Sequence, residues 1–494
     1  MIFRATRRVR SKSPVCVKNI SAAALSKRRS QDKNSKRPEK RSFLLCLREF
    51  HVFFIENKAA LSYNIGIKQG VLSMQIDIST FNFDCPVCGA HHGADVKQVV
   101  IETGAFSKLE EVAKSLGLNP ENAVAVYDTN TTNVVPHRTT AKQEVILPAE
   151  DLHANERGVG LLEKMADQCE YFIAIGSGSL TDITRYIAFQ RGVPFISCPT
   201  ACSVDGFASN SCAMTLKGVK TTVYTRMPIA IVADTEILRN SPMKLTRSGF
   251  GDMVGKYTSV ADWKISGLFG ADEFCQNIAD IQMKAVREVI DSCALLGEKD
   301  PGAYEKLMYG LILSGLAMQM FGTTRPASGP EHHMSHCWEM GVLAHTDALH
   351  GEKVGVATLI VSKKYHEVLK QGISYLDTLL PNLEMMPKAS LRKVIGEELW
   401  PLIEEQNAKD TLEGLTVDII REKWDELTAI MATIPPYEEL LEIYNSIGAM
   451  TTMEEIGLSD DLIDKSFMFA PYIRNRFTFM RIMSRKINNE FVTE

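Results

Sequence analysis

YFIAIGSGSLTDITRYIAFQRG, residues 171–192, decides the fold. An uninterrupted apolar run from Tyr171 to Ile175 has the length and β-branched content of a strand buried on both faces. Gly176 and Gly178 follow it at once, and a helical pattern begins at about Leu180. Glycine lets the backbone approach a phosphate closely. Ser179 and Thr181 can cap the helix, whose free N–H groups and dipole attract an anion. An isolated Gly-Ser-Gly-Ser is often only a tight turn, but strand before and helix after favour nucleotide pyrophosphate. The spacing is not G-x-G-x-x-G, so a standard dinucleotide fold is not implied.

Outward from this unit, short β-branched runs alternate with helical stretches between Val96 and Asp234. KQVVIE, AVAVYD, EVILP, PFISCP and IAIVAD read as further strands, and FSKLEEVAKSLG and RGVGLLEKMADQC as helices between them. Such alternation predicts a parallel sheet covered on both faces, with ligands bound beyond the carboxyl ends of the strands. Two more strand ends carry polar loops. Asp128 closes AVAVYD, where a carboxylate can accept from ribose hydroxyls. Thr200, Ser203, Asp205 and Ser209 lie in the small-residue loop after PFISCP. Ordinary turn chemistry also uses these residue types. Three such loops in one sheet favour a shared cleft.

After Asp234 the β pattern stops, and ADEFCQNIADIQMKAVREVIDSCALLG, AYEKLMYGLILSGLAMQM and LIDKSFMFAPYIRNRFTFMRIM read as helices packed through Met and aromatic residues. Within this half, TRPASGPEHHMSHCWEMGVLAHTDALHGEKVGV holds five of the chain's 11 histidines. PASG is a turn and EHHMSHCWEMGVLAH a helix. His332 and His336, four apart, share a helix face; His333 points elsewhere, and His350 follows a short loop. Imidazole is the commonest metal ligand, so two on one face with a third beyond predict a metal site that needs an anionic ligand from elsewhere. Asp252, in SGFGDMVGKYTSVADWKISG, starts a helical pattern from which a carboxylate can reach a cleft, although an isolated Asp there is usually a helix cap.

The 494 residues carry 45% hydrophobic and 23% charged side chains and a net charge of -5, an ordinary soluble composition with no general attraction to nucleic acid or acidic membranes. Eleven scattered cysteines read as reduced thiols of a cytoplasmic protein. No apolar run approaches the ~20 residues of a membrane span. Residues 1–73 are expected to be a basic, disordered extension. An organelle transit peptide or a nucleic-acid-binding arm would suit it, but the favoured reading is a start set too early, with Met74 the true start. FDCPVCGAHHG places Cys85 and Cys88 beside His91 and His92. A small zinc knuckle fits the C-x2-C spacing, yet half a site is weak, and a surface segment with free thiols is the commoner outcome. Residues 74–240 then form the α/β nucleotide-binding domain and 241–494 the helical domain.

Taken together and in this order, GSGSLTD, CPTACSVDGFAS, GFGDMVGKYTSVADWKIS, TRPASGPEHHMSH and HGEKVGV resemble the sn-glycerol-1-phosphate dehydrogenases of the iron-containing alcohol dehydrogenase and dehydroquinate synthase superfamily. The resemblance spans about residues 96–483. It implies an α/β domain with a parallel sheet and an all-α domain with the active site between them, and Asp252, His332 and His350 on the catalytic metal. It implies that His336, Asp205 and Asp252 meet substrate. Asp128, Gly178, Ser179, Leu180, Thr181, Asp182, Thr200, Ser203 and Ser209 match the nucleotide-contacting positions. The implied reaction is NAD- or NADP-dependent reduction of dihydroxyacetone phosphate to sn-glycerol 1-phosphate, with one divalent ion (Zn before Ni or Fe) and a product destined for phospholipid or ether-linked lipid. Asp128 favours NAD by repelling a 2′-phosphate, although the family uses both nucleotides. Lys256 and Arg325, the cations nearest the ligands in sequence, are the candidates for the substrate phosphate. The extension, the cysteine pair and Pro330 depart from the family pattern. A glycerol or other alcohol dehydrogenase, a dehydroquinate synthase and a nucleic-acid-binding protein acting through the basic arm are the competing readings. A homo-oligomer is expected.

Overall fold

The computed structural model describes residues 66–68 and 71–487. Its centre is an eight-stranded sheet made from β1 (Gly66–Lys68), β2 (Val71–Gln75), β5 (Gln98–Glu102), β6 (Ala123–Asp128), β7 (Gln143–Leu147), β8 (Tyr171–Gly176), β9 (Phe195–Pro199) and β12 (Ala230–Asp234). The spatial order is β1-β2-β5-β12-β9-β8-β6-β7. The last six in that order are parallel, and β1 and β2 add an antiparallel edge beside β5. All residues of β6 and β8 are buried. Val124, Val126, Phe172 and Ala174 pack into the apolar layer on one face, while Ala125, Tyr127, Ile173 and Ile175 pack into the layer on the other. That two-sided burial is why these strands read as continuous apolar runs rather than alternating ones.

The covering helices are α1 (Leu109–Ser115), α2 (Glu156–Met165) and α3 (Gly178–Gln190). The all-helical remainder opens with α4 (Thr235–Arg239), α5 (Met243–Val254), α6 (Lys256–Leu268), α7 (Gln276–Ile290), α8 (Pro301–Phe321), α9 (Pro330–Glu339) and α10 (His350–Gln371). Shorter helices complete it, ending with Phe479–Met483. Among the described residues no helix is long and apolar enough to cross a membrane.

Several expectations need correction. The extension was expected to run to residue 73, but β1 and β2 already occupy part of it, and Met74 pairs with Ile101 inside the sheet. Residues 1–65, where disorder was expected, lie outside the described residues. Two hairpins escaped the sequence reading: β3 (Phe83–Asp84) with β4 (His91–His92), and β10 (Ser211–Leu216) with β11 (Val219–Tyr224). Their strands are short or half-exposed and lack an apolar run. The histidine helix stops at Glu339 instead of continuing to His345, because Gly341 takes φ +67° and Val342 N–H returns to the Cys337 carbonyl. Asp252 does not start a helix; it sits in the last turn of α5, which Gly255 separates from α6. LIDKSFMFAPYIRNRFTFMRIM breaks into a helix at Leu462–Phe469, a 3-10 turn at Ala470–Tyr472 carrying Pro471, and the final helix.

Candidate active site

α5 and α10 cross so closely that glycine is required at the contact. A Cβ on Gly351 would lie 1.8 Å from the Ser248 carbonyl oxygen, and one on Gly251 would lie 2.3 Å from the Gly351 carbonyl oxygen. The residues beside these glycines are Asp252 and His350. α9 brings His332 to the same place, with Pro330 at its first position, where the missing N–H costs nothing. The ligand atoms of Asp252, His332 and His350 all lie within 4.8 Å of one another. His332 Nε2 is 3.6 Å from Asp252 Oδ1, and the His332 and His350 ring centres are 5.2 Å apart.

Each imidazole is held from behind. His332 Nδ1 meets Glu331 Oε1 at 2.7 Å, and His350 Nδ1 meets Glu339 Oε1 at 2.9 Å. A carboxylate on Nδ1 fixes the ring and leaves Nε2 for a cation. Glu331 is itself fixed by the Thr258 hydroxyl at 2.6 Å and the Gly329 N–H at 2.7 Å. The sequence reading missed both glutamates. The signal was available: an acid directly before His332 and another three residues after His336, in one helical segment.

Asp252 is fully buried and anchored at both oxygens. Lys256 Nζ donates to Oδ1 at 2.8 Å, and the Asp205 N–H donates to Oδ2 at 3.0 Å. Burial opposes ionisation of Asp252, but Lys256 and the two imidazoles outweigh it and hold the carboxyl well below its usual range. Burial likewise opposes charge on His332, but Asp252 and Glu331 overcome it and raise the pKa. Burial opposes the Lys256 charge too, and the carboxylates of Asp205 and Asp252 more than compensate. The pocket thus attracts positive charge at His332, and one carboxylate with two oriented imidazoles fits a divalent ion.

His336, a turn from His332, points Nδ1 at Glu339 Oε2 at 3.0 Å, and its ring centre is 5.7 Å from that of His350. Burial, reinforced by the Arg474 charge, keeps it well below the usual histidine pKa, hence neutral near pH 7. His333 is buried on another face, and His345 pairs with Asp347 at the surface.

The nucleotide candidates are arranged along adjacent strand ends. β6, β8 and β9 are neighbours, and Thr200 N–H donates to the Gly176 carbonyl. Gly178 abuts Val204 so tightly that a Cβ would come within 2.9 Å of it. Buried hydroxyls of Thr181 and Ser203 have no partner among the described residues, which suits a ligand's polar atoms. Other candidates are already engaged. The Asp128 Oδ1 caps its own turn through the Asn130 and Thr131 N–H groups. Asp182 binds Arg185 and the Ala213 N–H, Ser209 bonds Ser211, and Leu180 is core. Arg185, also missed, is buried and ties the 206–211 loop down by donating to the Gly206, Phe207 and Ser211 carbonyls.

Both expected phosphate donors are already paired, although Arg325 Nη1 has no partner among the described residues. Lys256 is enclosed by Asp205 and Asp252, each at 2.8 Å. Arg325 pairs with Asp272 at 2.7 Å and with the Phe477 carbonyl. The remaining positive charge gathers around Glu339: Lys353 at 3.5 Å, Lys220 at 3.9 Å from β11, and Arg474, whose field acts on it.

A parallel α/β sheet facing helices that carry this Asp–His–His cluster defines a class, and residues 100–242 match the family model described as iron-containing alcohol dehydrogenase. The fold is similar to glycerol dehydrogenase from Schizosaccharomyces pombe, with a TM-score of 0.51 and 16% identity over 81% of this chain and 87% of that one. It is also similar to maleylacetate reductase from Agrobacterium tumefaciens, with a TM-score of 0.52 and 14% identity over 82% and 99% of the two chains. Sequence relatives are nearer. The glycerol-1-phosphate dehydrogenase [NAD(P)+] of Geobacillus thermodenitrificans (strain NG80-2) is 31% identical over 80% of this chain and 94% of its own length. That of Bacillus velezensis (strain DSM 23117 / BGSC 10A6 / LMG 26770 / FZB42) is 35% identical over 69% and 77%. The chain belongs to the glycerol-1-phosphate dehydrogenase family.

Proposed function

We propose that this chain is an NAD(P)- and metal-dependent dehydrogenase that reduces dihydroxyacetone phosphate to sn-glycerol 1-phosphate, reversibly. The relatives' shared name supports the reaction. The observation that carries the site is the bond from the Asp205 N–H to Asp252 Oδ2, which joins the strand-end nucleotide loops to the Asp–His–His cluster. Asp252, His332 and His350 would hold a divalent ion, which when bound would supply positive charge beside the substrate carbonyl oxygen. The donor set suits Zn, with Ni or Fe as alternatives. Lys256 and Asp205 hold the Asp252 carboxylate in place, and Glu331 and Glu339 orient the imidazoles. His336, with Nδ1 on Glu339, keeps Nε2 for the substrate: it takes the hydroxyl proton in oxidation and returns it in reduction. The strand-end loops beginning at Asp128, Gly178 and Thr200 receive the nucleotide, with Thr181 and Ser203 offering unengaged hydroxyls.

NADH absorbance measured with dihydroxyacetone phosphate or dihydroxyacetone, with and without chelator, tests the reading. Asp252→Ala and His350→Ala should abolish turnover while nucleotide binding persists; a variant retaining full rate would refute the metal assignment. Equal rates with dihydroxyacetone would favour a glycerol dehydrogenase instead. Lys256 is enclosed by two carboxylates and Arg325 is paired with Asp272, so we assign the phosphate to Lys220 and Arg474, the cations gathered beside His336. Lys220→Ala and Arg474→Ala are expected to raise KM for dihydroxyacetone phosphate by roughly 10-fold each, about one charge-assisted bond. An unchanged KM in both would place the phosphate elsewhere.

A further inference from the structure

A second cluster of metal-ligand side chains lies outside the active site, where β3 and β4 meet the start of α7. Cys85, Cys88, His92 and Cys275 present donor atoms that all lie within 4.8 Å of one another. The C-x2-C half was visible in the sequence; the ligand that completes it comes from 190 residues along the chain. We propose that these four residues bind a structural zinc ion, distinct from the catalytic one, that clamps the β3–β4 hairpin to the helical half.

The distances fit a shared ion. A tetrahedral site with Zn–S bonds of ~2.3 Å separates its sulfurs by about 3.8 Å. Cys85 Sγ and Cys275 Sγ are 3.7 Å apart, far beyond the ~2.05 Å of a disulfide. His92 Nε2 is 3.2 Å from Cys88 Sγ and 3.3 Å from Cys275 Sγ. The His92 ring is aimed by its other nitrogen, since Nδ1 donates to the Met320 carbonyl at 2.9 Å. That is the outer bond expected of a metal-bound imidazole.

Polar groups converge on the cluster from outside it. The Asn277 side-chain N–H group donates to Cys85 Sγ at 3.3 Å, and backbone N–H groups of Val87 and Cys88 are directed at the same sulfur. Cys275 is the residue preceding α7, at the positive end of the helix dipole. Gly89, at φ +74°, makes the knuckle turn, with the Gly89 N–H bonded to the Cys85 carbonyl and the Cys85 N–H to that of Ala90. Cys85, His92 and Cys275 are buried and Cys88 is exposed. Three thiolates and an imidazole close a four-coordinate shell with no open position, the arrangement of structural rather than catalytic zinc.

The test is zinc content and ligand type in the full-length protein, by plasma mass spectrometry and zinc-edge X-ray absorption. In Asp252→Ala, with the catalytic site removed, one zinc per chain should remain in a shell of three sulfurs and one nitrogen. Adding Cys88→Ala, which removes an exposed side chain and opens no core cavity, should lose that equivalent, lower the thermal midpoint and leave circular dichroism folded. His92→Gln should weaken retention against chelator by at least ~10-fold. The proposal is overturned if Asp252→Ala given zinc retains none, if the remaining ion has only nitrogen and oxygen neighbours, or if Cys85 and Cys88 are found joined as a disulfide.

Discussion

Glu339 is the residue on which the active site's geometry turns. One carboxylate oxygen faces His350 Nδ1 and the other His336 Nδ1. Burial works against its charge, but Lys220, His350 and His336 outweigh that and keep it ionised. Glu339→Gln preserves shape while removing the charge that sets both rings. Metal affinity should fall by about 10- to 100-fold, with the fold intact, as measured by competition with a chromophoric chelator. An unchanged affinity would mean that packing alone orients His350. The histidines themselves were legible because i and i+4 share a helix face whatever the rest of the molecule does. Glu339 was not, because its role depends on His350 arriving from another helix.

At the scale of elements, the α5–α10 crossing converts sequence neighbours into a site. Asp252 adjoins Gly251 and His350 adjoins Gly351, and these glycines are the points of closest approach. Gly351→Ala must push the helices apart, costing about 1–3 kcal/mol or more. It should also weaken metal binding and turnover by moving His350 away from Asp252. Gly160→Ala in α2, where an added Cβ meets nothing within 4 Å, is the control and should be neutral or stabilise by up to about 1 kcal/mol. Equal thermal shifts in the two variants would dismiss the crossing as the cause. The six parallel strands were legible, since burial on both faces demands apolar runs. The β10–β11 hairpin was not. Its Lys220 faces Glu339, yet SCAMTLKGVKTTVY has neither a continuous apolar run nor a clean alternation.

For the whole molecule, pH offers a probe away from the active site. Asp262 joins α6 to α10 and to the last helix, accepting from the Tyr365 hydroxyl and the Phe479 N–H, each at 3.0 Å. Burial lifts its pKa from 3.8 to about 7 despite Arg325. Between those values the folded protein keeps a proton that the unfolded chain has released. The stabilisation is therefore complete below about pH 4, declines as pH rises, and is lost above about pH 7. Asp262→Asn removes this slope. Denaturant unfolding should show the variant gaining on the parent between about pH 4 and pH 7 by up to about 4 kcal/mol, at ~1.4 kcal/mol per tenfold. Parallel stability curves would show that Asp262 stays ionised when buried.

By itself the sequence determined the alternation of buried strands and helices, the glycine-rich end of β8, and the pairing of His332 with His336. Each follows from local periodicity, which backbone geometry imposes within a few residues. Only the tertiary structure decided that Asp252 meets His332 and His350 from the end of α5, that Lys256 and Arg325 are paired with carboxylates, and that Cys275 joins the cysteine pair. Those outcomes depend on side chains far apart in sequence being buried together, where charge must be compensated and donors must find partners. No local pattern specifies which distant partner that will be.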